Sequence, residues 1–304
     1  MKEMPKNLTA SILARLRNQA EIMERPYAET LQYFGMERFL YRLSRTKYAG
    51  KFVLKGGLLF YVWNSPLRRP TRDIDFRGYV SSDKANLVKI FNAVIEESAP
   101  EDGIAFDPHS LIVEETQIDA DYIGIRVKLT ALLERTRIPL QIDIGFSDEL
   151  SSKAEFVDYP TILPDLEPAQ MKSYPKEAVV SEKFHAMVRH AQLNSRMKDY
   201  YDLWLISGMF EFEGASLQKA IETTFRQRAT DLPIERPVGL TARFGENNNS
   251  SWLNFLDKSN LEVEECGDFV RVIETIWEFL QHPLQTLVDG KRSNLNWHPS
   301  RGWK

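Results

Sequence analysis

Two aspartates separated by a single residue, Asp73 and Asp75, close the stretch KFVLKGGLLFYVWNSPLRRPTRDIDFRG, residues 51–78. The segment around them reads as a strand, so both carboxylates share one face while Ile74 and Phe76 turn toward a core. Carboxylates this close repel one another unless a cation sits between them. All-oxygen ligands on a strand suit Mg²⁺, which commonly takes one or two carboxylates and leaves room for substrate phosphates. Upstream, the apolar run Phe52-Val53-Leu54 ends in the pair Gly56-Gly57, where the lack of side chains lets backbone N–H groups approach a phosphate oxygen. The basic loop between the two motifs, with Arg68, Arg69 and Arg72, offers charge-assisted hydrogen bonds. A third acid, Asp143, sits inside the alternating apolar segment IPLQIDIGF, where burial is costly without a cation or a donor network. Taken alone it suits a structural network; beside an Asp-x-Asp strand the metal reading is preferred. These parts together describe a site for a metal and a nucleotide.

The elements that must hold these residues follow from periodicity. Residues 7–20 and 28–45 repeat apolar residues at helical spacing, the first behind a candidate cap at Thr9. Arg15, Arg17, Arg38, Arg42 and Arg45 on these helices could reach phosphate, although a solvated basic face explains most of them. Ser81-Ser82-Asp83 has the character of a cap for a helix over 84–98, ended by Pro100 and Gly103. Residues 111–118, 122–132 and 138–146 alternate as strands. Four prolines over 157–176 and no clean period mark a boundary, set between 168 and 169. Beyond it helical patterns cover 176–192, 197–209, 215–228, 251–257 and 266–281. The tail KRSNLNWHPSRGWK reads as a flexible basic arm carrying two tryptophans. The expected fold is α+β: a mixed-sheet core with flanking helices over 1–168 and a mainly helical domain over 169–304 that completes the active-site cleft.

Composition narrows the class. The 304 residues carry 43% hydrophobic and 27% charged side chains, as a globular protein does, with a net charge of −4 that excludes a uniformly basic nucleic-acid binder. The single cysteine, Cys266, rules out an intrachain disulfide and a cysteine-based zinc site. No signal-like start and no apolar run of membrane-spanning length are visible, so a cytoplasmic location is expected. His185 and His190 share a helix at a spacing of five, which does not make a helical zinc pair; both read as packing or surface residues. Phe210, Phe212, Trp277 and Phe279 read as core.

The combination of an apolar-Gly-Gly turn, an Asp-x-Asp strand and a third strand carboxylate resembles nucleotidyltransferases of the polymerase-beta type. VLKGGLLFYVW, RPTRDIDF, LQIDIGF, SYPKEAVVSEKFHAMV and MKDYYDLW, in this order, resemble the AbiEii family. That family comprises nucleotidyltransferase toxins of abortive-infection, type IV toxin–antitoxin systems, and the likeness spans nearly the whole chain. It implies Mg²⁺ as cofactor, an NTP as substrate, an RNA acceptor such as the tRNA 3′ end, and a cognate antitoxin. Gly56, Gly57 and Arg72 would approach the triphosphate, and Asp73 and Asp75 would hold the metal. Asp143 would complete the metal site or take the proton of the attacking hydroxyl. Lys183 in EKFHAMV matches the family's helical lysine and would bind the β/γ-phosphates, although position alone favours a plain surface lysine. Asp199 in KDYYDLW matches a further motif. Asp202, one helical turn on, joins the nucleotide-binding set or pairs with a neighbouring arginine. Leu58 departs from the pattern, since many relatives carry Thr or Ser after the glycine pair, so a hydroxyl contact to phosphate is absent there. A phosphoryl group on Thr71, two residues before Asp73, would set negative charge against the metal site and switch it off. The alternatives are transfer to a protein or small-molecule hydroxyl, an inactive binding scaffold, and a sugar-nucleotide glycosyltransferase, which shares Asp-x-Asp but leaves Lys183 and Asp199 unexplained.

Overall fold

The computed structural model describes residues 8–65, 69–119, 122–146 and 153–304. Arg68 lies outside the described residues. They form two compact units, the first of residues 8–146 and 154–174, the second of residue 153 and Pro175–Lys304.

The first unit opens with helices α1 (Leu8–Ile22) and α2 (Tyr27–Arg45). Strand β1 (Phe52–Lys55) leads through a tight turn at Gly56–Leu58 into a single helical turn, α3 (Leu59–Val62). Strand β2 (Asp73–Gly78) and helix α4 (Lys84–Glu96) follow. Next come β3 (Ile104–Asp119), β4 (Tyr122–Leu133), β5 (Thr136–Gly145), β6 (Glu155–Tyr159) and β7 (Ala169–Ser173). One mixed sheet takes them in the order β3-β4-β5-β2-β1-β7-β6, with parallel pairing at β5-β2 and at β1-β7. The expected α+β core is present. Strand β7 lies beyond the expected 168/169 division and is hydrogen-bonded into this sheet beside β1.

Strand β5 shows why the sheet can carry a polar site: Ile138, Leu140, Ile142 and Ile144 are buried, and the residues between them face the other way. Helix α2 is buried along most of its length, Phe34, Phe39, Leu40 and Leu43 included, and packs on β5 and β7. Arg38 and Arg42 are buried in it and structural, which corrects the expectation that these two could meet phosphate. Buried Arg42 holds Asp102 at two points, 2.6 and 3.0 Å, and donates to the Ile104 carbonyl at 2.8 Å. Buried Arg38 donates to the Glu167 carbonyl at 2.8 Å and stacks on Tyr41, while Arg45 meets Glu97 at 3.0 Å and Arg15 meets Asp165. Beside Arg38, burial pushes the Glu37 carboxyl up to about 7 against the pull of that guanidinium. Asp83 caps α4 by accepting from the Asn86 amide at 2.9 Å, whereas Thr9 lies inside α1 instead of capping it.

The second unit contains α5 (Lys176–His190), α6 (Met197–Met209), β8 (Phe212–Glu213), α7 (Gly214–Gln227), α8 (Ala242–Lys258), α9 (Val263–Cys266) and α10 (Phe269–Val288). Its core is the stripe of α10 formed by Phe269, Val272, Ile273, Ile276, Phe279 and Leu280, spaced for one helical face. The tail is not a free arm. Strands β9 (Asn296–His298) and β10 (Gly302–Trp303) form a small sheet with β8, in the order β10-β9-β8. Trp297 is buried and donates to the Ser207 carbonyl at 2.7 Å; Trp303 donates to the Phe279 carbonyl at 3.0 Å and stacks on that ring. Indole rings supply the apolar area that docks the tail, and their N–H groups find buried carbonyls. Among the described residues, no helix is long and apolar enough to cross a membrane.

Candidate active site

The site of the first unit is set by strand register. β2 and β5 run parallel with Asp75 opposite Asp143 and Asp73 opposite Gln141, so the three acids lie on one face of adjacent strands. Each of Asp73, Asp75 and Asp143 offers a carboxylate oxygen within 4.8 Å of the others. Asp143 is buried, and the other two are half-buried. β4 adds Arg126 as the register partner of Asp143. Its Nε and a terminal NH₂ reach the two oxygens of Asp143, each at 2.8 Å, and the Gln141 side-chain amide donates to the same carboxylate at 3.2 Å. That two-point bond pushes the Arg126 guanidinium above its usual range.

The glycine turn backs directly onto these acids. Gly56 follows β1 with φ +72, in the left-handed region that favours glycine, and an added Cβ would lie 1.9 Å from Oδ2 of Asp75. A Cβ on Gly57 would lie 2.3 Å from the Thr71 hydroxyl. Both glycines are therefore fixed by close approach, and Gly56 by its conformation as well. Helix α2 secures the chain that enters β2, where the Thr71 amide donates to the Tyr33 hydroxyl at 2.8 Å, and it secures β5, where Gln32 donates to the Pro139 carbonyl at 2.7 Å. Burial pushes the Tyr33 hydroxyl up to about 12, so it remains a neutral acceptor. Arg72 is exposed at the start of β2. Thr71 is only 4% exposed, and its hydroxyl is packed under the turn, so a modifying enzyme could reach it only if the turn opened. Leu58 is buried and serves the core, consistent with the missing hydroxyl at that position.

The donor set of Asp73, Asp75 and Asp143 is all oxygen and negatively charged, on rigid strands, which fits a hard divalent cation such as Mg²⁺. Sequence reasoning missed Arg126 and Gln141. The alternation of YIGIRVKLTAL places Arg126 on a polar face, but only the β4–β5 register reveals that this face adjoins Asp143.

In the second unit, α5 and α6 bring together Lys183, Asp199 and Asp202. The Lys183 ammonium lies 2.6 Å from Oδ1 of Asp199 and 2.8 Å from Oδ2 of Asp202, with its side chain 14% exposed. The bland reading of Lys183 as a surface lysine is thereby excluded, and Asp202 pairs with this lysine. Arg196, absent from the sequence-based set, lies 2.8 Å from Oδ2 of Asp199. Burial of Asp199 opposes its ionisation, but Lys183 and Arg196 outweigh this and hold its carboxyl below the usual range. His185 is a packing residue, hydrogen-bonded to the Thr230 hydroxyl at 2.8 Å and set edge-on against Phe225.

A family model described as nucleotidyl transferase AbiEii toxin, type IV TA system, matches residues 38–282. Among solved structures, a Helicobacter pylori protein described as a candidate nucleotidyltransferase aligns with a TM-score of 0.49 at 15% identity, covering 86% of this chain and 97% of its own. The Helicobacter pylori protein JHP933 aligns with a TM-score of 0.47 at 15% identity, covering 83% and 90% respectively. No match is found among curated proteins.

Proposed function

Since the chain belongs to the AbiEii family of nucleotidyl transferase toxins of type IV toxin–antitoxin systems, we propose that it transfers a nucleoside monophosphate from an NTP to an RNA hydroxyl, with the tRNA 3′ end as acceptor. The observation that carries this reading is the convergence of Asp73, Asp75 and Asp143 beneath the Gly56-Gly57 turn. A triphosphate needs donors that approach closely and a countercharge for its oxygens: the glycine turn would give the first, and a cation held by the three acids would give the second. The acceptor hydroxyl gives its proton to water and attacks the α-phosphorus, the bond from that phosphorus to the oxygen it shares with the β-phosphate breaks, and pyrophosphate leaves. Mg²⁺, when bound, would neutralise charge on the phosphates and on the attacking oxygen.

The protein's own groups then take distinct parts. Asp73 and Asp75 hold the cation. Asp143 serves better as a ligand than as a proton acceptor, because Arg126 and Gln141 already donate three hydrogen bonds to its oxygens. Gly56 and Gly57 present backbone to the triphosphate, and exposed Arg72 adds charge. Lys183 supplies cationic charge toward the β/γ-phosphates, and Asp199 and Asp202 fix its ammonium in place. Positioning and charge account for most of the rate in reactions of this type. Arg38 and Arg42 of α2 and the tryptophans of the tail are committed to packing, so the RNA backbone would be gripped elsewhere. The family also implies a cognate antitoxin as partner.

The test is to incubate the purified protein with Mg²⁺ and each labelled NTP in turn against tRNA, protein and small hydroxyl compounds. Label on tRNA supports the proposal and names the nucleotide. Label only on protein or a small molecule replaces the acceptor, and NTP binding without any transfer favours an inactive scaffold.

A further inference from the structure

Four residues form one row across the first sheet. Arg126 on β4, Asp143 on β5, Asp75 on β2 and Lys55 on β1 are successive register partners, so two carboxylates lie between two cationic side chains. The Lys55 ammonium sits over the Tyr174 ring, 5.7 Å from its centroid. Arg126 binds Asp143 at two points. Its other register neighbour, Glu114 on β3, is engaged by Lys128 at 2.5 Å. Arg126 is thus committed to the carboxylate cluster.

Resting on the reading of that cluster as a divalent-cation site, we propose that Arg126 is a positioning residue that counter-charges the cluster and sets how tightly it takes a divalent cation before nucleotide arrives. Oδ2 of Asp143 accepts from both Arg126 and Gln141, which fills its lone-pair directions, while Oδ1 accepts from Arg126 alone. Asp143 therefore presents a single lone pair, on Oδ1, to a cation. The same contact holds a positive charge within hydrogen-bond distance of that ligand atom. A divalent ion is repelled twice as strongly as a monovalent one at equal distance, and partial burial limits screening by salt. Removing the guanidinium would loosen Asp143 only partly, because the Gln141 bond remains. The electrostatic effect therefore outweighs the orientational one. The consequence is a site that holds a free cation weakly and gains it chiefly with the anionic triphosphate.

The test is calorimetric titration of the full-length, chelator-stripped protein with Mn²⁺ alone. Arg126→Gln should bind Mn²⁺ at least tenfold more tightly than the wild type. Arg126→Lys, which keeps the charge, should stay within about threefold of it. Asp73→Ala reports on the underlying site. If wild type and Asp73→Ala bind Mn²⁺ equally, the cation-site reading itself fails. If binding depends on Asp73 but Arg126→Gln is no tighter than wild type, the role given to Arg126 is overturned. Equal tightening by Arg126→Lys would overturn it as well, since geometry and not charge would then be responsible. Circular dichroism of each variant verifies that the comparison is between folded chains.

Discussion

Oδ2 of Asp75 occupies the place where a side chain on Gly56 would begin, 1.9 Å from the ideal Cβ position. Gly56→Ala thus meets two obstacles, the clash with a carboxylate of the cluster and a φ of +72. Gly290 separates them, because its φ is +67 and nothing lies within 4 Å of an added Cβ. Gly290→Ala should lower stability by roughly 1–2 kcal/mol, the cost of a left-handed alanine, and leave Mn²⁺ binding intact. Gly56→Ala should lose Mn²⁺ binding as well as stability. Thermal melts and metal titration of both variants check this.

Asp199 makes the acid limb of stability informative. Its carboxyl is held below the ordinary value of 3.8, since Lys183 and Arg196 overcome the opposing effect of burial. A depressed pKa means that folding favours the ionised form. This contribution is complete above the unfolded value and vanishes as pH falls through the lower folded one. Asp199→Asn should destabilise the protein by about 3 kcal/mol or more at neutral pH, because it breaks a buried charge pair. The gap to wild type should narrow as pH falls below the ordinary carboxyl value of 3.8, in urea titrations followed by fluorescence.

The tail is a structural part of the second unit. Trp297 is buried against Phe279, and its indole N–H is satisfied by the Ser207 carbonyl. Trp297→Ala should cost about 3–5 kcal/mol, as large aromatic truncations in a core do. Trp297→Phe, which retains the ring and loses the hydrogen bond, should cost far less. Denaturation curves of the two variants distinguish a docked tail from a flexible one.

The parts of this chain with a clean period were legible in sequence. α2, α5, α6 and β5 have their bounds within a few residues of expectation, because the apolar residues of each recur at helical or strand spacing. β7 was hidden because its sequence, Ala169–Ser173, contains a single large apolar side chain, and it is defined by parallel pairing with β1. The first half of α8 lies outside the helical pattern expected over 251–257 because GENNN is a poor helix former. The Thr241 cap and the burial of Phe244, Trp252 and Leu256 override that preference. At the site, Asp73, Asp75 and Asp143 were visible because acids in apolar strands stand out. Arg126, Gln141 and Arg196 were not, since charged and amide side chains on a polar face acquire meaning only through the register or helix packing that brings them to an acid.

If Asp73, Asp75 and Asp143 support transfer of a nucleoside monophosphate to an acceptor, the fate of each phosphorus reveals it. α-Labelled and γ-labelled NTP are incubated with Mg²⁺ and tRNA, for wild type and Asp73→Ala. The α-label should appear on tRNA and the γ-label in released pyrophosphate, and both products should vanish in Asp73→Ala. Transfer of the γ-label to the acceptor, or unchanged α-label transfer by Asp73→Ala, would contradict it.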